Sequence, residues 1–86
     1  MMTMTDAAGG FLSELLEDAP PETAIRLVVE PHGLTSKLDT SRPGDTALNH
    51  SGRRVLLLDG RASMALSDKK LDVQDTDDGP RLRILS

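Results

Sequence analysis

The 86 residues predict a β-rich α+β domain: a small β-sandwich or partly closed barrel with an N-terminal helix and a short second helix. Two observations carry this. Apolar residues recur at helical spacing near the N-terminus, and from Ile25 onward they fall into short runs, mostly alternating with polar residues. Clusters of Pro, Gly, Asp and Ser separate those runs. The length fits one domain over residues 1–86, because half of it would fall below a self-sufficient core. Hydrophobic residues are 37% of the chain and seven glycines add about 8%, enough for a folded protein.

The first helix is expected over 5–18. Thr5 is a good N-cap, Asp6 sits where the helix dipole favours a carboxylate, and Ala8, Phe11, Leu12, Leu15 and Leu16 form one apolar stripe. Gly9-Gly10 weakens it by about 1 kcal/mol per glycine against alanine, and Pro20-Pro21 stops it. Ile25, Leu27 and Val29 then alternate with Arg26, Val28 and Glu30, a strand with one buried face, which Pro31-His32-Gly33 breaks. Leu34 to Leu38 is a weaker strand, followed by a loop from Asp39 to Asp45. Thr46–Asn49 and Arg53–Leu58 flank His50-Ser51-Gly52 as a hairpin, and the unbroken apolar run Val55–Leu58 predicts cover on both faces. Asp59 caps a short helix over Arg61–Leu66, with Ala62, Ala65 and Leu66 inward. Leu71 and Val73, a turn over Thr76–Pro80, then Leu82 and Ile84 make a second hairpin.

Charge and composition exclude several functions. Fourteen acids against ten bases give −4, and Phe11 is the sole aromatic residue, so neither phosphate-backbone attraction nor base stacking is supplied. No nucleic-acid partner is expected. The longest strongly apolar run, Val55–Leu58, is far short of a membrane span, and the acidic N-terminus does not resemble a secretory signal, so a cytoplasmic protein without membrane association is expected. Cysteine is absent, which removes disulfides, thiolate metal sites and thiol catalysis. With so small a core and no disulfide, a homodimer sharing apolar surface is a reasonable expectation.

Motifs for chemistry are few. Ser67-Asp68-Lys69-Lys70 contains Ser-x-x-Lys but lacks the further motifs and the scaffold that such nucleophiles need. Asp75–Gly79 looks like the start of a calcium loop, yet its glycine comes one position early and no glutamate closes it; a hairpin turn explains it better. His32 and His50, with Asp45 as a carboxylate, offer nitrogen and oxygen donors that iron or zinc accept. The two histidines lie eighteen residues apart in expected loops, without the close spacing of a helical or knuckle site, and solvent-exposed loop histidines are the competing reading.

The order of segments resembles the HesB-like, A-type iron–sulfur carrier family over nearly the whole chain. The carrying residues are Met2–Ala8 with the helix through Leu16, Ile25-Arg26-Leu27, Gly44-Asp45, Ser51–Asp59, Leu66 through Leu71-Asp72-Val73, and Leu82-Arg83-Ile84. The resemblance implies a compact β-sandwich with flanking helices. It also implies cluster ligation by one cysteine in a loop after the first strand and by a later Cys-Gly-Cys pair. Here the corresponding loop reads Pro31-His32-Gly33-Leu34-Thr35-Ser36, and the second motif does not occur up to Ser86. No ligand residue carries over, and serine and threonine are poor substitutes for thiolate.

The expectation is therefore a non-enzymatic protein with no bound cofactor, acting through an unidentified protein partner in iron or iron–sulfur metabolism. The alternative is a mononuclear iron or zinc protein using His32, His50 and Asp45. An enzyme ranks last, since neither a nucleophile–base pair nor a cofactor motif is visible.

Overall fold

The computed structural model describes residues 1–85. In chain order the elements are β1 (Thr3–Met4), α1 (Asp6–Leu15), β2 (Thr23–Glu30), β3 (Gly33–Thr40), β4 (Thr46–His50), β5 (Arg53–Leu58), α2 (Gly60–Ala65), β6 (Lys70–Thr76) and β7 (Gly79–Leu85). They build two open sheets, one ordered β3-β2-β5-β4 and the other β1-β6-β7, and neither closes into a barrel. Of the two expected architectures, the open sandwich is the one adopted.

One core joins the layers. Ile25 and Leu27 of β2, Val55, Leu56 and Leu58 of β5, and Leu71 of β6 pack with Ala8, Leu12 and Leu16 of the first helical segment. Ala62 and Leu66 close it from α2. Burying such a leucine is worth roughly 1.5–3 kcal/mol, and here that burial replaces the missing disulfides. β5 runs parallel to β2 and antiparallel to β4, so it is central, and Val55 to Leu58 are each at most 1% exposed, covered on both faces as the apolar run predicts.

Thr5 caps α1 as expected: its hydroxyl accepts from the Ala8 N–H at 3.1 Å and donates to Asp72 at 2.8 Å, tying the helix start to β6. The helix is shorter than expected and ends at Leu15. The Leu16 and Glu17 N–H groups turn to the carbonyls of Ser13 and Glu14, tightening the chain before the prolines are reached. Its buried face is also rotated: Ala8, Gly9, Leu12 and Leu16 are inside, Phe11 is half-buried and Leu15 is 50% exposed. Gly9 is the reason. A Cβ built there would overlap the His50 ring, with Cγ at 2.6 Å, so the helix lies on β4 through a position without a side chain.

Other differences are local. β1 has no counterpart in the sequence pattern, and it pairs parallel with Lys70-Leu71. The second hairpin turns tightly at Asp77-Asp78, with Pro80 already in the ladder opposite Asp75; β7 is an edge strand, where proline is tolerated. Asp59 caps α2 through a 2.8 Å bond from the Ala62 N–H, but Ala65 faces solvent and only Ala62 and Leu66 turn inward.

Candidate functional site

β2 carries the largest departure from its sequence pattern. Alternation makes Arg26 a solvent-facing residue, yet it is 4% exposed, while Ala24, Ile25 and Leu27 around it are buried too. Its guanidinium is sealed by the end of β3 and the loop that follows it. Nε donates to Asp39 at 2.7 Å, Nη1 and Nη2 donate to the two Asp45 oxygens at 3.0 and 2.6 Å, and Nη2 also reaches the Thr40 carbonyl at 3.3 Å. The Arg42 backbone N–H donates to Asp45 at 2.8 Å and its side chain donates to Asp39 at 3.0 Å. The bidentate Arg26–Asp45 pair has the planar fork geometry of the strongest ion pairs. Arg26 holds the Asp45 carboxyl down at about 2, with the Arg42 N–H adding to the effect. Asp39 is also lowered, first by the Thr40 N–H and then by Arg26; Arg26 itself is raised, chiefly by Asp45.

The candidate ligand residues are distributed as follows. Asp45, just before β4, spends both oxygens on Arg26 and Arg42. His32 is exposed in the two-residue turn joining β2 to β3. His50 closes β4, half-buried, its ring against Gly9 of α1 and its backbone opposite Arg53. Since β5 parallels β2, Arg53 and His50 lie beside the start of β2, whereas His32 follows its end. The whole length of β2 therefore lies between the two histidines. Among the described residues no group of three His, Asp or Glu side chains could hold a metal ion.

Arg53 is a further residue that no sequence pattern singles out. Its Nε and Nη2, the two donors along one side of the guanidinium, are buried without a hydrogen-bond partner among the described residues. The signal for Arg26 is more accessible: one arginine mid-strand, followed within twenty residues by a polar loop with an aspartate at each end.

No family model matches the sequence, and no curated protein matches it either. Solved structures do. Escherichia coli SufA, a protein involved in biosynthesis of iron–sulfur clusters, superposes with a TM-score of 0.82 at 20% identity, over 96% of this chain and 82% of SufA. The fold is HesB-like. An Aquifex aeolicus protein solved by NMR matches with a TM-score of 0.72 at 20% identity, over 99% of this chain and 90% of its own. IscA, in a structure with its [2Fe-2S] cluster, matches with a TM-score of 0.64 at 20% identity, over 98% and 80%. Two of these three HesB-like neighbours are described by iron–sulfur clusters, and the present 86 residues contain no cysteine. Where the family resemblance places the first ligand, Pro31–Ser36 offers an imidazole, two hydroxyls and backbone groups. Iron–sulfur clusters are held chiefly by thiolates, so these residues do not fit one.

Proposed function

We propose that this protein is a non-enzymatic, HesB-like accessory protein of iron–sulfur cluster assembly, a single domain over residues 1–86 that acts in the cytoplasm by binding another protein. One observation carries the reading: a chain that superposes on SufA over nearly its full length presents no thiolate in the loop after β2. The backbone fold that carries that loop is shared with SufA while the ligand chemistry is not, which favours recognition over cluster transfer. No described helix is long and apolar enough to cross a membrane, and the acidic balance disfavours nucleic acid.

The test has two arms on the same protein. Anaerobic incubation with ferrous iron and sulfide should leave no cluster absorption in the visible spectrum. Interferometry against a purified A-type carrier and a purified cluster scaffold should give saturable binding to at least one, unchanged by His32→Ala. Specific amide shifts at His32, His50 or Asp45 on titration with ferrous iron or zinc, with neither protein bound, would replace this reading by mononuclear metal binding.

A further inference from the structure

We propose that the cleft beside Arg53 is a binding site for a small monocarboxylate, held by the Nε–Nη2 edge of that guanidinium. The inference is independent of the protein partner proposed above.

Two arginines of this chain place guanidinium donors in the interior, and the fold treats them differently. Arg26 meets carboxylates along its whole rim, Asp39 at Nε and Asp45 across Nη1 and Nη2. Arg53, at the start of β5, meets none: Nε and Nη2 are both buried, and neither has an acceptor among the described residues. A buried charged donor without a partner is costly, and such a group in a native protein calls for a water or an ion. Which donors are left over separates the two. Nε and Nη2 point the same way from one edge of a planar group, the arrangement that accepts both oxygens of a carboxylate. A carboxylate satisfies the pair in parallel and neutralises the charge, whereas a water brings no charge.

The surroundings supply no acid of their own and leave room for one. Arg53 lines an open cleft of about 420 Å³ together with Glu17, Ala19, Pro21, Gly52 and Arg54. Glu17 and Arg54 are exposed, and neither forms an ion pair among the described residues. Two arginines against one glutamate leave the lining with one positive charge, which a monoanion balances. Ala19 and Pro21 offer an apolar wall for a short hydrocarbon stem. Arg53 is itself part-exposed, and turning its unbonded edge into the cleft breaks no hydrogen bond.

Acetate and butyrate, titrated against matched concentrations of sodium chloride, are the probes. The Arg53 Nε–H signal in heteronuclear NMR spectra should shift and saturate in the low millimolar range. Butyrate should bind several-fold tighter than acetate, because its longer stem adds apolar contact. Arg53→Met, which keeps the packing stem, should abolish the saturable response. Arg53→Lys keeps the charge without the paired donors and should weaken binding about tenfold or more. Glu17→Gln removes the opposing charge and should tighten binding several-fold, which decides the matter if neither Arg53 variant folds. Thermal unfolding gives a second readout: butyrate should raise the Tm of wild type and leave that of Arg53→Met unchanged. Unsaturable shifts of equal size at Arg42, Arg61 and Arg81 mean an adventitious ion only and overturn the proposal. So does an Arg53 signal that neither acid moves, the result expected if an internal water satisfies both donors. Tighter binding of inorganic phosphate than of butyrate overturns the carboxylate assignment.

Discussion

Replacing Asp45 by asparagine should be among the most damaging single changes available on this surface. The side chain is almost wholly buried and accepts three hydrogen bonds, two of them from the buried Arg26 guanidinium. The substituted amide would keep the shape but remove the charge, and it would set N–H donors against a guanidinium that only donates. Two routes give the magnitude. Lowering the Asp45 carboxyl from 3.8 to about 2 corresponds to about 2–3 kcal/mol of stability at neutral pH. Breaking a buried ion pair by removing one partner costs about 3–5 kcal/mol. Against a total stability of about 4–13 kcal/mol for a chain of this length, a loss near 3 kcal/mol is severe. It should lower the Tm by about 12–24 °C. The sign of the pH dependence follows from the depressed carboxyl. Its contribution is fully present above the ordinary carboxylate range and is lost as pH falls from about 4 through about 2, so the variant should lose stability less steeply than wild type across that interval. Thermal unfolding by circular dichroism from neutral pH down to about 2, in a cycle with Arg26→Met, reads both effects. Coupling between the two sites should be about 2 kcal/mol or more. Equal Tm values for D45N and wild type, or additive single changes, would refute the account of the buried cluster.

The adjacent glycines of α1 should respond in opposite directions. Gly10→Ala meets nothing within 4 Å and should gain the helix propensity of alanine, about 0.8–1 kcal/mol. Gly9→Ala should be destabilising despite the same propensity gain, because its Cβ overlaps the His50 ring, and His50→Ala in the same chain should restore part of the loss. Arg53→Met should be neutral or stabilising by about 1 kcal/mol in urea unfolding, since it keeps the packing stem and removes buried donors without partners; a large loss would reveal an interaction that the geometry does not contain.

What the sequence determines by itself is the set of elements whose signals are local. Thr5 and Asp59 cap their helices because a side-chain oxygen and an N–H three residues on are neighbours along the chain. Val55–Leu58 announces a central strand because only burial on both faces suits four consecutive apolar residues. The missing thiolates, and with them the mismatch to the iron–sulfur chemistry of the fold's neighbours, are also plain in composition.

What only the tertiary structure decided depends on groups distant in sequence. Period-two alternation says which face Arg26 takes but not what covers that face, and a folded-back loop converts a surface arginine into a buried one. The same contact removes Asp45 from the pool of free ligands. The distance between His32 and His50 was equally invisible, because the parallel register of β2 and β5 sets it and no local pattern encodes a parallel pairing. The rotation of α1 shows the same limit. Helical periodicity defines an apolar stripe about as wide as a third of the helix, but the choice of inward line within it fell to Gly9, where the missing side chain lets the His50 ring lie against the helix.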